Sequence, residues 1–313
     1  MNDKEIMYYT RLLIPAILLI LLPFWAVADA NITKTSYSDS KSDTKQSKSA
    51  ISLKKQLNPK RLFLRSSTAL IVDETDGTVL YSKEENKQMP IASVTKLMTA
   101  MVILDKNLNL KEKIRIKRKD RDRIRGSKSR LSYGTILTRY DLLKIALAAS
   151  ENRAANALAR TYPGGKKAFV KAMNAKARAI GMKHSVFKDP AGLHSGNLST
   201  AKDLIKLVTA SSKYKLIKKF TTTGKDYVTD RRSGWKVEFF NTNRLVRRKN
   251  WNISLSKTGY IADAGHCLVM ETHIAQRPVI IVLLNSWGKL SKFGDSNRIK
   301  RWLQNGEKRL ASI

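Results

Sequence analysis

Apolar residues follow two spacings along this chain, and the two are segregated. Residues 69–72 (ALIV) and 78–82 (TVLYS) are short β-type runs on either side of Asp76-Gly77, a dipeptide that suits a tight hairpin turn because it tolerates left-handed backbone. A second group of β-type runs comes late, at residues 252–256, 266–272 and 279–285, the last of them continuously apolar. Between the two groups the spacing changes. Val94, Leu97, Met98, Met101 and Val102 recur at helical intervals, and residues 142–149, 152–162, 166–180 and 201–211 carry the same pattern. Strands at both ends with helices between them predict an α+β domain: one antiparallel sheet closed by the two termini and packed against a helical insertion.

The first sixty residues obey neither spacing. Residues 12–28 (LLIPAILLILLPFWAVA) are uncharged and mostly apolar, follow Arg11, and end in small residues at Ala26, Ala28 and Ala30. Residues 1–30 therefore read as a secretory signal peptide. The run also approaches the ~20 residues that cross a bilayer, which makes an uncleaved anchor the alternative. Residues 31–60 hold ten Ser/Thr and seven Lys with hardly any large apolar side chain. Such a stretch buries too little surface to offset its ordering entropy, so residues 31–61 are expected to be a flexible linker and the folded domain to span 62–313.

Composition then limits the chemistry. The 313 residues include 60 Lys+Arg against 25 Asp+Glu, a formal net charge of +35, and are 42% apolar, enough for a globular core. A single cysteine, Cys267, excludes an intramolecular disulfide and reads as a small buried hydrophobe. His184, His194, His266 and His273 form no metal-ligand spacing, so neither a metal nor a cofactor is expected. A strongly basic chain first suggests a nucleic-acid partner. The leader removes that expectation by carrying the charge out of the cytoplasm. Residues 111–130 hold eleven basic and three acidic residues, either a surface for an anionic polymer or a solvated insertion.

Three short patterns carry the candidate chemistry. Serine and lysine three residues apart on a helix share a face, so the amine can take the hydroxyl proton. That pattern occurs ten times here, mostly as a consequence of composition. Ser93 and Lys96 differ from the rest because they open a clearly apolar helical run (ASVTKLMTAMVILDK) directly after Pro90 and Ile91, where free backbone N–H groups favour negative charge. Ser150 and Asn152 fall at the break between two helical stretches, where a hydroxyl and an amide can face a cleft. Lys257, Thr258 and Gly259 end a β-type segment, where a cation and a hydroxyl can bind a carboxylate while glycine leaves room for an extended peptide. Each has an ordinary alternative: helix caps for Ser93 and Ser150, a solvated lysine for Lys96, and a turn for the tripeptide.

Order and context are far more specific than any single piece. Together with ALIVDETDGTVLYSKEENKQMPIASVTKLMTAM, LLKIALAASENRAANALA, FKDPAGL, FFNTNRLV and NWNISLSKTGYIADAGHCLVM, the three patterns resemble the low-molecular-mass penicillin-binding proteins over roughly residues 62–303. The resemblance is strongest to the D-alanyl-D-alanine endopeptidase branch (penicillin-binding protein 7 type). It implies a β-lactamase/transpeptidase-like fold with Ser93 as the acylated nucleophile and Lys96 as its general base, its pKa lowered by burial beside Lys257. By the same resemblance Ser150 relays the proton to the leaving amine, Asn152 holds the acyl-side amide, and Lys257, Thr258 and Gly259 bind the carboxylate and backbone next to the scissile bond. The backbone N–H groups of Ser93 and Tyr260 would form the oxyanion hole.

The implied partners are peptidoglycan stem peptides and cross-links, β-lactam inhibitors and other wall hydrolases. Glu238 is the one glutamate between Asn152 and Lys257, and it lies in a β-like segment, so a fast class A β-lactamase is disfavoured. The expected function is hydrolysis of D-Ala–diaminopimelate cross-links. A D-Ala-D-Ala carboxypeptidase and a non-enzymatic basic wall-binding protein are the alternatives. Little sequence follows RIKRWLQNGEKRL, which is expected to pack as the last helix of the domain.

Overall fold

The computed structural model describes residues 52–312, so the leader and most of the linker lie outside the described residues. A helical turn, α1 (residues 52–56), leads into β1 (Ser66–Asp73) and β2 (Val79–Lys83). The middle of the chain comprises β3 (Met89–Pro90), α2 (Lys96–Asp105), β4 (Lys113–Arg115), β5 (Ile136–Thr138), α3 (Arg139–Ala148), α4 (Asn152–Arg160) and α5 (Gly165–Ala179). It continues through β6 (Leu198–Ser199), α6 (Ala201–Ser212), α7 (Lys215–Thr222), β7 (Lys225–Thr229) and β8 (Lys236–Phe240). Three long strands, β9 (Asn252–Ile261), β10 (Gly265–Ile274) and β11 (Arg277–Ser286), precede the final helix α8 (Ser291–Ala311).

The five-stranded sheet has the order β2-β1-β11-β10-β9. All its neighbours are antiparallel, so strands from the two ends of the chain meet at β1 and β11, as the segregated spacings predict. The hairpin forms where Asp76-Gly77 places it. Gly77 adopts φ 77°, and the Asp76 carboxylate accepts the Thr78 N–H at 2.8 Å. In β11, Ile280, Val282 and Leu284 face the helical insertion, while Val279, Ile281 and Leu283 face the layer made by α8 and α1. The strand is continuously apolar because both of its faces are covered. Helix α2 is likewise buried all round, from Lys96 to Ile103, which marks it as the central helix of the insertion. Among the described residues no helix is long and apolar enough to cross a membrane.

The folded part starts earlier than composition implies. Leu53 and Leu57 are buried against α8, where Gly306 leaves room for them: a Cβ there would lie 2.5 Å from Leu57 Cδ2. Trp302 Nε1 also donates to Asn58 O at 3.0 Å. The linker reading for residues 52–61 is thus corrected. A few leucines in polar sequence become core once a helix from the far end of the chain supplies the other half of the contact. Helix α7 is a second difference, since its short KLIKKFTT run does not stand out by spacing.

Candidate active site

Ser93 lies in a 3₁₀ turn (Ala92–Thr95) that runs directly into α2. The residue before it, Ala92, has φ 47°, and Ser150 has φ 60°. Left-handed backbone at a residue with a Cβ is unfavourable by ~1–3 kcal/mol and persists only where the surroundings impose it. Here they do. Thr95 Oγ1 donates to Ala92 O at 2.7 Å, and two glycines leave the space the turn needs. A Cβ on Gly192, itself at φ 79°, would sit 1.9 Å from Ala92 O, and one on Gly259 would sit 3.0 Å from Ser93 N. Gly192→Ala is therefore expected to destabilise the protein by about 1–3 kcal/mol and to slow acylation by penicillin. An unchanged melting temperature and an unchanged acylation rate would contradict this account of the turn.

Lys96 is 1% exposed and projects from the first turn of α2 beneath Ser93. Its Nζ lies 2.7 Å from each of three oxygens: Ser93 Oγ, Asn152 Oδ1 and Ala191 O. Burial lowers its pKa to about 7, against opposing pulls from Asp189, Glu151 and Asp122. Lys257, also 1% exposed, projects from the edge strand β9. It donates to Ser150 Oγ at 3.0 Å and to Thr258 O at 2.9 Å. Burial, and secondarily the charge of Lys96, holds its pKa well below the ordinary lysine value. The depressed pKa of Lys96 follows first from desolvation, as expected of a buried lysine.

Ser93, Ser150, Asn152, Thr258, Gly259 and Tyr260 line one groove of about 720 Å³. Lys96 and Lys257 stand behind it, joined to Ser93 and Ser150. The structure thus brings together every sequence-selected residue. The cap readings do not hold: the side chain that caps α4 is Glu151, accepting from Arg153 N at 3.1 Å, while Ser150 turns its hydroxyl to Lys257. Thr258 donates to Thr242 Oγ1 at 2.6 Å, a partner that no spacing indicated although FFNTNRLV was part of the resemblance.

Other contributors had no role assigned from sequence, although FKDPAGL was part of the resemblance. Ser127 Oγ accepts from Asn152 Nδ2 at 2.8 Å and so fixes the amide with its oxygen toward Lys96. Ala191 O is presented by a loop wound around Asp189, whose buried carboxylate accepts the backbone N–H groups of Ala191, Gly192, Leu193 and His194. Asn197 bonds both Asp189 O and Thr95 Oγ1, at 3.0 Å each, tying that loop to the Ser93 turn. At the far end of the groove the Tyr260 and His266 rings stack with centroids 4.2 Å apart, beside Lys289 and Lys292. Lys292 is nearly buried, and desolvation lowers its pKa to about 8. Cys267 is buried in β10, as expected of a small hydrophobe. Among the described residues the groove lining includes no carboxylate, and no His, Cys, Asp and Glu cluster has metal-binding geometry.

Known proteins match this chain over most of its length. The sequence profile of the D-alanyl-D-alanine carboxypeptidase family matches residues 54–288. Over 244 residues the chain is 48% identical to a D-alanyl-D-alanine endopeptidase of Pseudomonas aeruginosa, covering 78% of this chain and 79% of the relative. Its fold matches the crystal structure of a Streptomyces DD-transpeptidase with a TM-score of 0.71 at 26% identity, over 77% of this chain and 97% of the other. It also matches a penicillin-binding protein of Listeria monocytogenes in the ampicillin-bound form, with a TM-score of 0.65 at 27% identity, over 77% of this chain and 98% of the other.

Proposed function

The chain belongs to the D-alanyl-D-alanine carboxypeptidase family of serine peptidases, and from that membership we propose that it is an endopeptidase of the cell wall, hydrolysing the D-Ala–diaminopimelate cross-links of peptidoglycan through an acyl-enzyme on Ser93. The observation that carries the chemistry is the environment of Lys96. A neutral amine has two N–H donors and one lone pair. Asn152 Oδ1 and Ala191 O can only accept, so they take the two N–H groups and leave the lone pair facing the one neighbour that can donate, the Ser93 hydroxyl. A pKa near 7 keeps a large share of the amine in that neutral form at physiological pH.

Ser93 Oγ then bonds to the D-Ala carbonyl carbon as its proton passes to Lys96 Nζ, and the carbonyl oxygen becomes an oxyanion held by the N–H groups of Ser93 and Tyr260. Collapse breaks the amide bond, with the departing nitrogen protonated through Ser150, whose hydroxyl is backed by Lys257. Water cleaves the resulting ester and returns the enzyme. Asn152 is placed to hold the acyl-side amide, and Lys257, Thr258 and Gly259 to accept the carboxylate-side backbone along the free edge of β9. The same ester forms with penicillin in place of the peptide.

Preference for cross-links over terminal D-Ala rests on the 48% identical relative, which is named an endopeptidase. Purified cross-linked muropeptide dimers are the deciding substrate. Dimers are expected to disappear as monomers accumulate. Release of terminal D-Ala with dimers intact would make the protein a carboxypeptidase instead. Export to the periplasm belongs to the same reading, as does association with other wall hydrolases, since the substrate lies outside the cytoplasmic membrane.

A further inference from the structure

The basic stretch 111–130 takes no part in the chemistry above, and its folding is one-sided. All eleven of its Lys and Arg residues are exposed, whereas Asp120 and Asp122 are buried. The acids are also occupied. Glu112 pairs with Arg139, Asp120 pairs with Arg160, and Asp122 accepts the N–H groups of Ile124, Arg125 and Ser127. The outer surface of the stretch is therefore cationic with little internal neutralisation.

Part of that surface closes on a cavity of about 330 Å³, separate in its lining from the Ser93 groove. Lys119, Arg121 and Arg123 border it from one side and Lys166, at the start of α5, from another. Among the described residues none of these four side chains has a carboxylate partner. Desolvation, with the charge of Arg123 adding to it, lowers the Lys166 pKa although Asp189 and Asp120 oppose the shift. Four cations at one cavity, none of them in an ion pair, outnumber the two carboxylates of its wall and favour an incoming anion. Ile124 and Leu193 give the cavity an apolar flank, and the two carboxylates in its wall, Asp122 and Asp189, repel a dianion such as phosphate more than a single carboxylate. An amino acid with an aliphatic stem and a terminal carboxylate meets these conditions.

The cavity shares its walls with the catalytic groups. Asp189 lines it and holds the loop that presents Ala191 O to Lys96. Asp122 lines it and holds Ser127, which orients Asn152. We propose that this cavity is a second substrate site, which takes a carboxylate of an acidic peptide strand other than the bond being cut, so that the enzyme grips cross-linked peptidoglycan at two points. The proposal rests on the endopeptidase reading for the identity of that peptide. Two-point attachment lowers the apparent KM for cross-linked material and leaves a small acylating agent unaffected.

The test uses full-length enzyme whose Ser93 has been acylated by penicillin, with a purified disaccharide-tripeptide muropeptide as probe and calorimetry as readout. Binding is expected to persist after acylation. It should weaken about tenfold or more in Arg121→Ala/Arg123→Ala/Lys166→Ala, the loss of charge-assisted contacts, and change little in Lys111→Ala/Lys113→Ala/Arg118→Ala, which removes the same charge outside the cavity. Both triple variants should acylate with penicillin at the wild-type rate, and only the first should raise KM on dimers. Loss of binding on acylation, equal weakening in both triples, or tighter binding of inorganic phosphate than of the muropeptide would overturn the proposal. Binding does not require cleavage, so a protein that binds the probe when acylated yet leaves dimers uncut would retain the site and lose the endopeptidase reading.

Discussion

Ser93→Ala is expected to abolish covalent labelling by a fluorescent penicillin while leaving the protein folded. The substitution removes one of three oxygens around a buried amine, a change of about 1–3 kcal/mol in stability at most. It removes all of the proposed nucleophile. The control is internal, because the groove contains a second serine–lysine pair, Ser150 with Lys257 at 3.0 Å. A label that persists and maps to Ser150 by peptide mass would transfer the nucleophile to that pair. In the wild-type protein the penicilloyl ester should be long-lived, since among the described residues no carboxylate lines the groove to activate a deacylating water. Rapid multiple-turnover hydrolysis of penicillin would contradict that account.

The second large effect concerns Lys96. Lys96→Met should slow acylation by a factor on the order of 10²–10⁴, the usual contribution of a positioned base. The pH profile gives the sharper result. Burial disfavours the ammonium, so the pKa falls from 10.5 to about 7, and the reactive species is the neutral amine. The acylation rate should therefore rise with pH, about tenfold per unit below the pKa, and level off above it. The inflection should vanish in Lys96→Met and survive in His266→Gln, although His266 also has a lowered pKa at the edge of the groove. Asp122 raises the Lys96 pKa by its charge, so Asp122→Asn should move the inflection to lower pH. A wild-type rate flat through neutrality would remove Lys96 from the role of base.

Much of this site was legible before any fold was known, for reasons tied to local geometry. Ser93 and Lys96 share a face by helical pitch, Ser150 and Asn152 mark a break between helices, and Lys257 to Gly259 end a β-type run. Such patterns state what a residue can do over one turn or one strand. They were silent on Ala191, whose contribution is a backbone oxygen, and on Ser127 and Thr242, whose side chains act only through contacts made by distant segments. Lys289 and Lys292 were likewise ordinary members of a lysine-rich chain until the turn after β11 and the start of α8 placed them at the groove.

The charge makes the same point on a larger scale. Sequence alone determined that the chain is strongly basic, that residues 111–130 concentrate the excess, that the fold is α+β with a sheet joining both ends, and which serine and lysine open the helix. Only the tertiary structure decided that Asp120 and Asp122 turn inward while every Lys and Arg of 111–130 turns outward, and that Leu53 and Leu57 belong to the core. It alone buried two lysines behind one groove. The physical reason is common to all of these. Periodicity records which face a residue takes within its own element, whereas desolvation, the cause of the Lys96 shift, depends on what the rest of the chain packs against that face.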